Sequence, residues 1–214
     1  MPSLSGKNSP YSASFTGGGL MLSETNIIIP LFLEKDASEV IKELRKDTSI
    51  LQIRSAQSRD RVANEINKRF KAMPKDFWEI YLTMDENQQK AALLFVILKT
   101  YLLLFEFQVN LVIPKYHSPD RVLTKNDVLT ALSEVAARDE FVDSWSDQTR
   151  GRASSQFVSI LRQAGLINPV SGELQPLVLG DEDFVYYIRI GELWFLQACL
   201  LPGYKIERIK EIAL

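Results

Sequence analysis

Apolar side chains recur at three- and four-residue intervals along most of the 214 residues, the spacing of helices that face a core. Val62, Ile66, Phe70 and Met73 form one such stripe, and Pro74 ends it while opening a short helix from Lys75 to Leu82. Asp85 and Gln88 cap a long central helix that carries the apolar run Ala91 to Ile113 and stops at Pro114. Thr124 and Asp127 make a second capping signature, followed by Val128, Leu132 and Val135 at helical spacing. A further helix runs from about Asp147 to Ala164, where Gly165 stops it. Leu166 to Leu179 holds Pro169, Gly172 and Pro176, and reads as a turn or a short β-hairpin. Asp181 starts a helix reaching about Leu200, Pro202-Gly203 breaks it, and Lys205 to Leu214 forms a last short helix. Near the start, Leu20 to Leu33 reads as a helix disturbed at Pro30, and Asp36 caps another that ends about Lys46.

The expected class is therefore mainly α: a two-domain helical bundle, with a winged-helix-like element and short hairpin as an option in the C-terminal half. Residues 1–15 are polar and read as a flexible arm. Residues 16–114 form an N-terminal helical domain and 122–214 a C-terminal one, with the polar segment from Lys115 to Arg121 between them. Lys99, Glu106, Gln108 and Asn110 interrupt the apolar run. On a straight helix Lys99, Glu106 and Asn110 share one face, which favours a soluble core helix over a membrane span. No signal peptide is visible, so a cytoplasmic setting is expected.

Composition narrows the chemistry. Hydrophobic residues make up 46% and charged residues 24%, enough for a real core. The net charge of −2 rules out a uniformly cationic surface, so any nucleic-acid binder must concentrate its basic residues locally. Cys199 sits in an apolar run and reads as a buried hydrophobe, and with His117 the only histidine a Cys/His zinc site is ruled out. Asp181, Glu182 and Asp183 suit the positive end of a helix better than a divalent metal. His117 has no nucleophile or acid partner in view. No catalytic residue, metal or cofactor is expected, and the chain reads as a non-enzyme.

Two stretches carry candidate binding chemistry. Arg54, Arg59, Arg61, Lys68, Arg69, Lys71 and Lys75 oppose only Asp60 and Glu65 between residues 50 and 75, a local charge of +5. Arg61, Lys68 and Lys71 lie opposite the apolar stripe, so the helix has either a phosphate-neutralising face or a merely solvated one. From Thr124 to Leu179, the order helix, short helix, longer helix, hairpin matches a winged helix-turn-helix. In the longer helix Ala153, Phe157, Ile160, Leu161 and Ala164 share one face. Arg152, Ser155, Gln156, Ser159, Arg162 and Gln163 share the other, and no acid falls between Gln148 and Leu166. Arg and Gln can read base edges and Ser can reach phosphates, though an ordinary amphipathic helix can carry the same pattern. The Thr16-Gly-Gly-Gly19 turn could hold an anion, but it lacks Gly-Lys-Ser/Thr and reads better as a flexible turn or close helix packing.

The stretch Tyr11 to Glu24 (YSASFTGGGLMLSE), with Glu65 to Phe70 (EINKRF), Ala164 to Ile167 (AGLI) and the chain length, resembles the BrxA family of bacterial BREX phage-defence proteins. That resemblance implies a small, all-helical, non-enzymatic protein of two helical domains, similar in fold to the antitermination factor NusB and associated with double-stranded DNA. A NusB-like fold leaves RNA open. The family offers no catalytic motif to carry over. The expected DNA-contacting residues are Arg54, Arg61, Lys68, Arg69, Lys71, Arg152 and Arg162, with Gln156 and Ser159 at the bases. Other phage-defence proteins are expected partners, and an adaptor that assembles a defence complex is the alternative role.

Overall fold

The computed structural model describes residues 8–214, and it is helical almost throughout. After a 3-10 turn at Ser14–Gly17, helix α1 spans Leu22–Glu34 and runs unbroken through Pro30. Proline there removes one N–H donor, yet the helix persists because Thr25, Ile28, Ile29 and Phe32 bury its inner face. α2 (Ala37–Lys46) begins where the Asp36 carboxylate accepts from the Ser38 amide at 2.8 Å. α3 is Ala56–Lys71 and α4 is Lys75–Thr83, with Pro74 at the junction.

α5 (Glu86–Thr100) opens with the expected Asp85/Gln88 capping box. All eight residues from Ala91 to Leu98 are buried. A helix apolar on every side must be surrounded, and α5 packs against α1, α3, α4 and α10. Phe95 alone meets Phe77 of α4 and the rings of Tyr187, Trp194 and Phe195.

The central helix is not the single long rod expected. Tyr101 is extended (φ −124°, ψ 100°), and the chain turns through 110° between Glu86–Thr100 and Leu102–His117. The second limb is α6 (Leu102–Phe107), a π-helical turn (Gln108–Val112) and α7 (Ile113–His117). The corner breaks the polar stripe: Lys99 pairs with Glu192, and Glu106 pairs with Arg138. Among the described residues no single helix is long and apolar enough to cross a membrane. This bent pair passes by length and composition together, with its α5 run buried inside the protein.

α8 (Lys125–Ala136) starts at the Thr124/Asp127 capping box, α9 is Glu140–Asp143, and α10 is Asp147–Ala164. Gly165 stops α10 at φ 92°, a left-handed position that glycine adopts without strain. The segment expected as a hairpin makes two isolated bridges, Ile167 with Leu174 and Val122 with Glu173, and no strand forms among the described residues. The expected helix from Asp181 to Leu200 is split into α11 (Asp181–Arg189) and α12 (Trp194–Ala198), because Gly191 takes a left-handed turn at φ 79°. α13 (Gly203–Ala213) then packs along α11.

The arm expected over residues 1–15 lies outside the described residues as far as residue 7. From there on the chain is tied down. Ser9 donates to Asp139 at 3.1 Å, Tyr11 donates to Glu106 at 2.9 Å, and Phe15 is fully buried edge-on to Tyr101. The buried apolar residues form one continuous cluster from Phe15 to Ile209.

Asp181 shows what its acidic cluster does. Its carboxylate pairs with Arg208 and Lys205 of α13, and the hydrogen bond from Arg208 holds its pKa below the usual carboxylate value. A depressed folded-state pKa stabilises the protein above the unfolded value of about 3.9, and that contribution fades as pH falls through the lower folded value. Asp181→Asn is expected to lower Tm by a few degrees at most at neutral pH, because the pair is solvent-screened. The gap to the parent protein should close below about pH 4 in a thermal-melt series.

Candidate nucleic-acid interface

The basic run on α3 divides into two sets with different depths. Arg59 is 3% exposed and Arg69 is 1% exposed. Arg59 donates to the carbonyls of Leu44 and Arg45, the last turn of α2, at 2.8 and 2.5 Å, and to those of Ile53 and Arg54 at 2.7 and 2.9 Å. It caps a helix end whose carbonyls have no intrahelical partner. Arg69 pairs with Glu65 at 2.8 Å and donates to the Leu20 and Gly19 carbonyls at 2.9 and 3.0 Å. The same Glu65 carboxylate accepts from the Tyr101 hydroxyl at 2.6–2.7 Å. Burial, reinforced by the Glu65 charge, pushes the Tyr101 pKa up, so the phenol stays a donor.

Arg69 was expected among the DNA-contacting residues, and the structure corrects that. Both arginines are structural, with their guanidinium groups spent on backbone carbonyls and a buried carboxylate. A signal for this was present: Arg59, Val62, Ile66 and Arg69 stand at i, i+3, i+7 and i+10, on the inward stripe. Classing residues by charge alone hid it.

Arg54, Arg61, Lys68 and Lys71 remain exposed. Lys68 is held in place, 4.1 Å above the Tyr101 ring centroid and donating to Ser14 Oγ at 3.1 Å. Tyr101 and Ser14 screen one side of its ammonium from water, and that desolvation lowers its pKa from the ordinary lysine value although the side chain is exposed elsewhere. The Arg61 stem lies against Gly17, where a Cβ would come within 3.2 Å of it.

α10 presents the faces expected of it. Ala153, Phe157, Ile160, Leu161 and Ala164 are buried; Arg152, Ser155 and Arg162 are exposed; Gln156 and Ser159 are half-buried. Gln163 accepts from the Leu20 amide at 3.1 Å and donates to Ser159 at 2.9 Å. A Cβ on Gly19 would come within 2.7 Å of the Gln163 amide and 3.2 Å of Gln156. The glycine turn is therefore close packing, wedged between α3 and α10, and its Gly19 carbonyl is committed to Arg69.

That wedge joins two stretches that sequence treats as separate. Arg61 and Lys68 touch the 14–20 segment from α3, and Gln156 and Gln163 touch it from α10. Beside it opens a groove of about 690 Å³ lined by Thr16, Lys125, Asp147, Arg152, Ser155, Gln156 and Ser159. Among the described residues, Arg54, Arg61, Lys68, Lys71, Lys125, Arg152 and Arg162 make no ion pair. Lys125 was missed because it precedes α10 by more than twenty positions and only tertiary packing brings it here.

Elsewhere little chemistry is assembled. Cys199 is fully buried, and burial pushes its thiol pKa up. Among the described residues no group of three His, Cys, Asp or Glu side chains is placed to hold a metal ion.

Fold and surface thus define a helical protein with a groove whose two cations, Lys125 and Arg152, make no ion pair among the described residues. The family model for BrxA matches residues 9–189, and the chain belongs to the BrxA family. A relative from Bacillus cereus (strain H3081.97), described as BREX protein BrxA, is 25% identical over 187 residues, covering 86% of this chain and 92% of that protein. The crystal structure of an uncharacterized protein from Magnetospirillum magneticum superposes with a TM-score of 0.75 at 21% identity, covering 88% of this chain and 97% of that one.

The two kinds of arginine should separate in stability measurements. Arg69→Ala strands a buried carboxylate and two carbonyls, and is expected to cost about 3–5 kcal/mol in urea unfolding. Arg61→Ala is expected to stay within about 0.5 kcal/mol of the parent.

Proposed function

We propose that this chain is a non-enzymatic accessory protein that binds double-stranded DNA in a bacterial BREX-type phage-defence system, in the cytoplasm and alongside other defence proteins. The observation that carries the reading is that the unpaired α3 cations Arg61 and Lys68 meet Gln156 and Gln163 of α10 at one turn, beside a groove lined by unpaired Arg152 and Lys125, in a chain whose net charge is −2. Arg54, Arg61, Lys68, Lys71, Arg152 and Arg162 neutralise backbone phosphates, and Gln156 and Ser159 reach base edges. In this reading α8, α9 and α10 form a helix-turn-helix with the bridged 166–174 segment as its wing. The two halves, 16–114 and 122–214, make a NusB-like pair of helical domains. RNA is the alternative nucleic acid. An adaptor role is the second reading, favoured by Val170 and Val178, which stand 95% and 83% exposed on the 166–180 segment where a partner can cover them.

Phosphate-dominated binding weakens steeply with salt. Arg152→Glu with Arg162→Glu is expected to lower duplex affinity by at least about tenfold in a gel shift without lowering Tm, since both side chains are exposed. Unchanged affinity would remove α10 from the interface. Tighter binding to RNA of the same length would move the reading to RNA.

A further inference from the structure

We propose that Lys125, Arg152 and Ser155 clamp a single phosphodiester group across α8 and α10, in the groove beside Thr16. This rests on the nucleic-acid reading and narrows it to one subsite, which includes a residue from neither basic run.

Lys125 is the first residue of α8, exposed and without an ion pair among the described residues. Its ammonium lies against α10 at Gly151, where a Cβ would stand 3.3 Å from Nζ. Glycine inside a helix costs about 1 kcal/mol relative to alanine. Here the missing side chain lets a cation from α8 approach the α10 backbone one residue before Arg152. Asp147, one turn earlier on α10, lines the same groove but pairs with neither cation, so two positive charges face one negative.

A phosphodiester fits this set. It carries one negative charge on two non-bridging oxygens, each able to accept several hydrogen bonds. The Arg152 fork suits one oxygen, and the Lys125 ammonium with the Ser155 hydroxyl suits the other. Gln156 and Ser159 continue the groove toward Gln163 and supply neutral donors and acceptors for the adjoining nucleotide. Inorganic phosphate offers the same oxygens, so the two sources need separate arms in the test.

The test is fluorescence anisotropy of the full chain with a short random-sequence duplex at several salt concentrations. Lys125→Gln is expected to weaken binding and to reduce the slope of log affinity against log salt by about 0.9, the loss of one phosphate contact. Lys125→Arg should retain most of the affinity. Gly151→Asp, which sets a carboxylate beside the ammonium, should reproduce the Lys125→Gln loss, and thermal melts check that each variant is folded. If Lys125→Gln and Gly151→Asp match the parent while Arg152→Glu/Arg162→Glu is weakened, the clamp is wrong and the DNA reading stands. If the parent does not bind duplex at all, both fall. Inorganic phosphate at matched ionic strength should displace no more duplex than chloride does. Phosphate binding lost in Lys125→Gln, with duplex affinity unchanged, would make this a free-anion site and overturn the polymer assignment.

Discussion

Arg69 and Glu65 are charged groups taken out of water, and three otherwise separate parts of the chain meet because that charge must be satisfied. An isolated buried carboxylate is costly, so Glu65 needs both the guanidinium one turn along α3 and the hydroxyl of Tyr101. The remaining Arg69 donors need acceptors, and the Gly19 and Leu20 carbonyls supply them. The glycine turn is thereby fixed on α3. Tyr101 is fixed too, and it is the residue at which the central helix turns its corner. Lys68 rests on the same ring, so a buried network sets the position of a surface cation.

The second organising element is α5. Its eight-residue buried run leaves no solvent face, so other helices must surround it. The corner at Tyr101 then sends α6 and the π-turn away at 110°, with Phe107 packing on Phe157 of α10. That contact seats α10 beside the glycine turn and fixes which of its faces points outward. The candidate interface is thus a consequence of core packing: α8 and α10 line one groove, and α3 meets the turn beside it, because their inner faces share one hydrophobic cluster.

Much of the secondary structure was legible, for local reasons. The boxes at Asp85/Gln88 and Thr124/Asp127, the cap at Asp36 and the stop at Gly165 are interactions within a few residues, and their sequence signatures suffice. The amphipathic split of α10 was equally readable from spacing. Where the outcome depended on distant partners, spacing misled. Nothing in Tyr101 or its neighbours marks a helix break, since the corner is held by Glu65 and Phe15, 36 and 86 positions away. Gly191 and its left-handed turn divided a helix that periodicity carried on to Leu200. Pro30, by contrast, left α1 intact because the buried face outweighs one missing hydrogen bond.

The chain by itself determined that this protein is helical, where most helices begin and end, and which positions carry basic side chains, because propensity, capping and periodicity are local properties. Only the tertiary structure decided what the buried cations bind and which exposed ones meet. Arg59 and Arg69 share the inward stripe of α3 with Val62 and Ile66, but distant carbonyls turned them into backbone anchors, while packing brought Lys125 from α8 into reach of Arg152. The partners of a buried charge and the approach of two helices lie far away along the chain, and charge and periodicity carry no record of them.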